Sequence, residues 1–455
     1  MVTTTNPANN QELETYKDMN VNDACDIINL SHRAFEDWRW KSFDHRAEKM
    51  RALATLLKDR VNDLAPMMTQ EMGKPITQAK AEIEKCAWVC EYYADNAAEF
   101  LKDEEVKTDF DRSFITYQPI GVVLAIMPWN FPFWQVIRFA APTLMAGNAA
   151  VLKHASSVTG CSLAIEQLFK DAGFPENLFR SLVINSNDMK DIIPDRHIRA
   201  VTLTGSTGAG QKVAEIAGRH LKKTVLELGG SDAYLILDDA DIEMAAKQCA
   251  ASRLQNTGQS CIAAKRFIVQ DSVHDDFVAA LKAEMESKTI GDPMNDKTDI
   301  GALASVAARD ELHDQVTQSI AKGATCVLGG EIPNQDGAWY PPTILSDVTE
   351  GMPAFHDEMF GPVAAVIKVK DPSDAVRLAN DSNFGLGGGV FSTDIDKATA
   401  IARDKMDTGT VAVNGFVKSN PHLPFGGVKD SGYGRELSRF GIHEFVNIKT
   451  VTVGG

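Results

Sequence analysis

The sequence predicts an α/β protein with two parallel sheets, and three observations carry that prediction. Short apolar runs alternate with helix-spaced segments between Gly121 and Leu228, as strands do when crossover helices cover both faces of their sheet. A second alternation starts near Ser231 and includes KRFIV, AVIKV and GTVAVN. The chain has 455 residues, 44% of them apolar, enough to bury the cores of two or three domains.

The elements follow in order. From Asn22 to Phe100 apolar residues recur at three and four spacing, so this stretch reads as helical, interrupted at Gly73 and Pro75. Thr108 to Pro119 alternates enough for an exposed hairpin or arm rather than a core strand. Next come GVVLAIM, a helix from Trp134, AAVLK, a helix from Val158, SLVI, AVTLT, a helix from Gly208, and KTVLEL. Beyond KRFIV a helix is expected from Val273 to Ser287, with long loops between the later strands. The last apolar run, Phe445 to Val453, has no partner nearby in sequence and is expected to pair with a neighbouring subunit. Neither internal repeats nor low-complexity segments are visible.

Charge narrows the ligands. With 46 basic and 62 acidic groups the formal charge is −16, and no basic tract carries interleaved aromatics. That argues against nucleic acid and anionic membrane as partners. No window reaches the roughly 18 uninterrupted apolar residues of a membrane span, and the opening MVTTTNPANNQELE lacks the features of a secretory signal. A cytoplasmic location is expected. Seven cysteines without CxxC pairs suggest reduced thiols rather than a disulfide framework or a zinc site. Cys86 and Cys90 can share one helix face, where core packing is the expected role.

Several residues stand where chemistry is possible, each beside a plainer reading. Cys261, in NTGQSCIAAKR, sits in a small polar loop leading into an apolar strand. A thiol there can reach a cleft while the scaffold stays rigid, although a cysteine in a loop is more often structural. Glu227 ends a hydrophobic strand before Gly229 and Gly230. Such surroundings raise a carboxyl's pKa toward neutrality and suit a general base, unless a lysine simply pairs it. Asn130, held in PWNFP, can offer a rigid amide to an oxyanion, or serve as a turn residue. Gly205, Gly208 and Gly210 lie between a strand and a helix, where backbone amides can meet a pyrophosphate, yet they depart from the GxGxxG pattern. Lys153 and Ser156, after another strand, form a plausible pair for ribose hydroxyls or a 2′-phosphate, with a solvated lysine as the alternative.

Taken together, PWNFP, LTGST, LELGG, GQSC and EMFGPV occur in the order and rough spacing of the aldehyde dehydrogenase superfamily. The chain resembles that family from about Asn22 onward. KHAS, FWQVIRFAAP, GQSCIAAKR and VKSNPHLPFGGVKDSGYGRE look closest to the short bacterial succinate-semialdehyde dehydrogenases. The resemblance implies an aldehyde dehydrogenase-like fold of two Rossmann-like domains plus a small β oligomerisation arm. Residues 1–107 and 120–226 would bind cofactor, 227–430 would form the catalytic domain, and 108–119 with 431–455 the oligomerisation element of a homodimer or homotetramer. It also implies that Cys261 is the nucleophile, Glu227 the base, and Asn130 with the Cys261 amide the oxyanion hole. Trp129, Lys153, Ser156, Gly205, Ser206, Leu228, Glu358 and Phe360 would surround NAD or NADP.

The implied reaction oxidises an aldehyde through a Cys261 thiohemiacetal to a thioester, which water activated by Glu227 hydrolyses. Trp134 and Arg138 are spaced to share a helix face. Arg138 with Ser419 is expected to hold a substrate's distal carboxylate, whereas the plainer reading of Arg138 is a salt bridge. Many NAD-using relatives carry glutamate where Ser156 stands; serine removes its repulsion of a 2′-phosphate without excluding NAD. Other short aldehydes remain open as substrates. Rival readings are a thiol hydrolase or acyltransferase, for which no histidine motif is evident, and a coenzyme-A-acylating enzyme, disfavoured by Glu227.

Overall fold

The computed structural model describes residues 1–454; Gly455, the last residue of the expected oligomerisation element, lies outside the described residues. The chain opens with an antiparallel hairpin, β1 (Val2–Asn6) and β2 (Gln11–Tyr16). Four helices follow: α1 (Val21–Trp38), α2 (Phe43–Asp59), α3 (Val61–Met72) and α4 (Ile76–Phe100). Asn20 and Asp23 cap the first reciprocally. Gly73, at φ +80°, ends the third, and Pro75 precedes the fourth. The expected interruption therefore marks a real boundary.

Two short segments come next, β3 (Glu104–Glu105) and β4 (Arg112–Pro119). The first large sheet then builds from β5 (Val122–Met127), helix α5 (Trp134–Met145), β6 (Ala149–His154), helix α6 (Thr159–Asp171), β7 (Phe179–Ser181), β8 (Ile198–Thr204) and β9 (Lys223–Glu227). All five strands are parallel, in the order β9-β8-β5-β6-β7. The chain moves outward from β5 to β7 and then returns to β8 on the other side. A topological switch point lies between β5 and β8, where open α/β sheets place a crevice at the strands' carboxyl ends. The expected SLVI strand is corrected: the strand is Phe179–Ser181, and Leu182 only adds one bond to Leu152 as the chain leaves the sheet.

The second sheet contains β10 (Asp232–Ile236), β11 (Ala264–Gln270), β12 (Thr325–Leu328), β13 (Thr343–Ser346) and β14 (Val363–Val369). The short β15 (Phe384–Gly385) leads to two more members, β16 (Gly387–Phe391) and β17 (Thr410–Val413). Its order is β12-β13-β14-β11-β10-β16-β17, parallel except for the β12 edge. Side chains alternate between two cores: Ala233 and Leu235 face one, Tyr234 and Ile236 the other. That period of two with both faces buried explains the uninterrupted apolar runs.

Near the end, β18 (Val428–Lys429) pairs with β15, and β19 (Gly432–Tyr433) pairs with β9, so Gly432 lies opposite Glu227. The final strand, β20 (Val446–Val453), has a partner within the chain. It pairs antiparallel with β4 of the same chain from Val446 opposite Pro119 to Val453 opposite Arg112. Proximity in sequence was the wrong guide, because the arm and the terminus meet only after both sheets have formed. The resulting sheet runs β20-β4-β3, so β20 occupies an edge, with Ile448 and Val453 exposed. Among the described residues no helix is long and apolar enough to cross a membrane.

Candidate active site

Cys261 follows a strained turn between helix Ile242–Leu254 and β11. Asn256, Thr257 and Gly258 adopt successive left-handed conformations, with φ of 54°, 55° and 77°. A β-branched residue there costs energy, so the surroundings must hold it. Asn256 Nδ2 donates to Asn130 O at 2.7 Å and Gln259 O at 3.1 Å, while Arg253 donates to Gly258 O at 2.5 Å. A Cβ on Gly258 would fall 2.2 Å from Gly361 O, so glycine is required. The fully buried Lys265 Nζ donates to the carbonyls of Ser260 at 2.9 Å, Cys261 at 2.8 Å and Ala263 at 3.4 Å, and stands 3.5 Å from Glu358. The loop is thus fixed before any substrate arrives. Cys261 is half-buried; burial pushes its thiol up to about 12, against Lys265 and Arg138.

Asn130 lies just beyond β5 and is buried. Its Nδ2 donates to Gln259 O at 3.0 Å, and its Oδ1 accepts from Gln135 Nε2 at 2.9 Å. These bonds orient the amide nitrogen toward the Cys261 loop and commit one of its two protons. Glu227 is the last residue of β9, and neither carboxylate oxygen has a hydrogen-bond partner among the described residues. Burial and the Glu436 carboxylate push it well above the ordinary carboxylate range, against Arg138. No lysine pairs with it among the described residues. Gly230, in the same LELGG run, packs on the Cys261 segment: a Cβ there would lie 2.7 Å from Cys261 O.

A cavity of about 860 Å³ opens onto Cys261, with Lys85, Trp134, Arg138, Ser419 and Phe425 in its walls. Asn130 and Glu227 are not among its lining residues; Asn130 reaches the Cys261 segment through Gln259, whereas the Glu227 carboxylate lies beside Gly426. On the sheet side, the crevice at the β5/β8 switch gathers residues expected around a cofactor. Trp129 follows β5, Lys153 and Ser156 stand at the end of β6, Gly205 and Ser206 follow β8, and Leu228 follows β9.

Ser206 caps helix Thr207–Arg219, accepting from Ala209 N at 3.4 Å, and open space adjoins Gly208. Backbone amides in such a strand-to-helix turn suit a pyrophosphate. Lys153 is buried rather than solvated, its Nζ donating to His154 O at 2.9 Å, with no carboxylate partner among the described residues; burial lowers its pKa. Ser156 is exposed. Trp129 meets Phe360 edge to face at 5.8 Å, and Glu358 Oε1 accepts from Gly230 N at 3.0 Å. The donor set and the uncompensated lysine fit a nicotinamide dinucleotide, 2′-phosphorylated or not.

The sequence profile of the aldehyde dehydrogenase family matches residues 1–451. The chain belongs to the aldehyde dehydrogenase family. A probable NADP(+) succinate-semialdehyde dehydrogenase of Synechocystis is 48% identical over 452 residues, 99% of each chain. An NAD(P)+ succinate semialdehyde dehydrogenase of Escherichia coli is 46% identical, covering 98% of this chain and 96% of its own. The crystal structure of succinic semialdehyde dehydrogenase from Streptococcus pyogenes with NADP+ superposes with a TM-score of 0.97 at 38% identity, covering 100% of both chains.

Within this aldehyde dehydrogenase framework, Arg138 meets both of its expected settings, the cavity wall and a salt bridge. Arg138 and Trp134 do line the cavity together, as their spacing suggested, and Ser419 lies there too. However, Arg138 Nε is ion-paired with Glu436 Oε2 at 2.5 Å, with both side chains buried, and its guanidinium lies over Phe425 at 4.9 Å. Much of its charge is therefore committed inside the protein. Sequence reasoning also missed Glu82, whose Oε1 accepts from the N–H groups of Phe133 and Trp134, both at 2.9 Å, while Oε2 pairs with buried Lys74. This carboxylate fixes the start of α5 and hence Trp134. Glu82 and Lys85 recur on α4 among other charged residues, so only the tertiary fold distinguishes them from a solvated face.

Proposed function

We propose that the chain oxidises succinate semialdehyde to succinate, with NADP or NAD as electron acceptor. The observation that carries this reading is one cavity that places Cys261 together with Lys85, Arg138, Lys418 and the Ser419 hydroxyl. Cations and a hydroxyl donor suit an aldehyde that bears a second, anionic end. The names of the full-length relatives support the same substrate. Uncharged short aldehydes lack a group to engage those cations.

In the proposed reaction Cys261 adds to the carbonyl carbon. Asn130 Nδ2, oriented by Gln135 and Gln259, donates its remaining proton to the oxyanion together with the Cys261 amide. Lys153, Ser156, Gly205, Ser206 and Leu228 would hold the dinucleotide, with Trp129, Glu358 and Phe360 nearer the reacting end. When bound, the oxidised nicotinamide supplies the two-electron acceptor. The thioester left on Cys261 is hydrolysed by water that Glu227 deprotonates; burial raises its affinity for a proton, as a base requires. An unpartnered carboxylate, free of any lysine, supports that role.

The division into a cofactor region on the first sheet, a catalytic region on the second and an oligomerisation element at β4 and β20 is proposed as well. The open β20 edge supports a homodimer or homotetramer. Seven free cysteines support a reducing, cytoplasmic setting. The test is cofactor reduction with succinate semialdehyde and butanal, each with NADP and NAD and without coenzyme A, with the product identified. Succinate semialdehyde is expected to give the higher kcat/KM and free succinate. Preference for butanal, or a requirement for coenzyme A, refutes the reading.

A further inference from the structure

A buried ion pair lies beside the turn that carries Asn130, and the proposed reaction makes no use of it. The side chains of Lys74 and Glu82 are only 1% and 3% exposed. Pairs buried in this way add little to stability, because desolvation offsets their attraction, and apolar residues of similar volume often serve as well. The other contacts of the two charges point to a different role. Helix α5 is buried along its whole length, and Phe133, at its N-cap, has no side chain to cap it. Its first N–H groups therefore need acceptors from elsewhere in the protein. Glu82 Oε1 accepts from two of them, Phe133 N and Trp134 N, both at 2.9 Å. Lys74, which holds the other Glu82 oxygen, also places its ammonium 4.0 Å from the centroid of the Phe131 ring.

The pair thus grips the PWNFP turn on both sides of Pro132, by the ring before it and by the amides after it. Asn130 stands one residue further back, and its link to α5 is Gln135. Gln135 N donates to Phe131 O at 3.2 Å, and Gln135 Nε2 donates to Asn130 Oδ1 at 2.9 Å. Gln135 belongs to the same first turn that Glu82 caps, so a shift of that turn moves the donor that holds the Asn130 oxygen. With Oδ1 held there and one Nδ2 proton given to Gln259 O at 3.0 Å, the amide has one sense only. Reversing it would set nitrogen against nitrogen and oxygen against oxygen. Small displacements matter, since an oxyanion donor acts from about 2.7–3.1 Å.

We propose that Glu82, steadied by Lys74, is a positioning residue for the oxyanion step, an assignment that rests on the role given to Asn130 above. Its carboxylate sets the first turn of α5, and through that turn Gln135 aims the Asn130 amide at the carbonyl oxygen of an aldehyde on Cys261. Lys74 fixes the second carboxylate oxygen and the Phe131 ring together, so the turn and the helix keep one register. Both residues act through the backbone and through Gln135, without touching the reacting atoms.

The test compares two neutral forms of the pair in the full-length protein with NADP. Glu82→Leu with Lys74→Met removes both charges without stranding either. It is expected to slow the burst of reduced cofactor from succinate semialdehyde roughly 10- to 100-fold, short of the loss of a whole oxyanion donor. Glu82→Gln with Lys74→Met keeps an amide oxygen for the two N–H groups and is expected to restore most of the burst. Reaction of Cys261 with dithiodipyridine, which develops no oxyanion on carbon, is expected to be unchanged in both. Asn130→Ala added to the leucine form is expected to bring no more loss than Asn130→Ala alone, because both act on one donor. A normal burst in the leucine form, full additivity with Asn130→Ala, or no recovery with Glu82→Gln overturns the assignment. Equal slowing of the disulfide reaction does so too, for it marks a site loosened as a whole. A normal burst in Asn130→Ala alone overturns the oxyanion reading instead, and no burst in the unaltered protein overturns the functional reading first. Should the leucine form fail to fold, Gln135→Met decides: a slowed burst with normal disulfide reaction upholds the link, and a normal burst breaks it.

Discussion

Replacing Lys265 with methionine tests whether one buried cation both holds the nucleophile loop and tunes its sulfur. The side chain is wholly buried, and its ammonium serves three carbonyls, Ser260, Cys261 and Ala263, and faces Glu358 at 3.5 Å. At an effective dielectric of about 20, charges at that separation attract by about 5 kcal/mol. Breaking a buried pair by removing one partner costs about 3–5 kcal/mol, because the other charge is stranded. Glu358 keeps its bond from Gly230 N and is partly exposed, which places the expected loss near the lower figure. Lys265 is also the strongest of the charges that restrain the Cys261 thiol from rising further. Its removal therefore reduces thiolate at any pH below about 12. Each tenfold loss of thiolate is expected to slow attack on a disulfide reagent about three- to fourfold, since the more basic thiolate that remains is the better nucleophile. The assay is the rate of reaction with dithiodipyridine across pH, alongside thermal unfolding. A variant that unfolds early yet reacts at the normal rate would show that Lys265 holds the loop without tuning the thiol. Unchanged values in both measurements refute the reasoning altogether.

Four further outcomes are expected. Glu227→Gln should lower steady turnover roughly 10²- to 10⁴-fold while still giving a stoichiometric burst of reduced cofactor; undiminished turnover removes Glu227 as the base. Because the folded pKa of Glu227 is raised, its contribution to stability is complete below the ordinary carboxylate pKa and is lost as pH climbs toward the folded value, so the glutamine variant should gain in relative melting temperature with pH. Asn130→Ala should reduce kcat about 10²- to 10³-fold and lower the melting temperature, since Gln259 O and Gln135 lose a partner; loss of stability with normal kcat would make it a packing residue only. Arg138→Met should cost about 3–5 kcal/mol of stability by stranding buried Glu436, read by denaturant titration, and should lower the succinate semialdehyde to butanal ratio of kcat/KM. Ser156→Glu should shift the NADP to NAD ratio of kcat/KM toward NAD by repelling a 2′-phosphate; initial rates with both cofactors check it.

What the sequence shows of this fold depends on whether a residue's environment is local. The parallel strands were legible because burial on both faces turns them into continuous apolar runs, as in β5, β8 and β11. The strand GGGVF was not, because its glycines answer to neighbours: a Cβ on Gly389 would lie 2.5 Å from the Tyr234 ring, and one on Gly387 2.4 Å from Asp232 Oδ2. The terminal strand was seen, but its pairing with β4 was not, since the two are joined only by tertiary structure. At the proposed site, Asn130 and Glu227 drew notice because each closely follows or ends a strand near proline or glycine, and Cys261 because it sits in a small polar loop ahead of one. The left-handed run before Cys261 was not, for asparagine and threonine ahead of a glycine do not announce positive φ.

Charges are least legible of all, and for a reason that bears on function. A lysine or glutamate on a helix reads as solvated until the fold decides what it meets. Lys85 and Ser419 come together from α4 and from the loop after β17, and Arg138 and Glu436 from α5 and the stretch after β19. Only when the internal pairs have been matched does a remainder appear, and the sign of that remainder sets the charge a ligand must bring. Here Lys85 and Lys418 stand outside any ion pair among the described residues and Asp299 is the one such carboxylate, so the wall of the cavity that ends on Cys261 keeps a cationic excess. A neutral aldehyde leaves that excess uncompensated, and a semialdehyde of suitable length compensates it while its carbonyl reaches the sulfur. Selectivity on this account arises from an imbalance the protein keeps rather than from a contact it has already made.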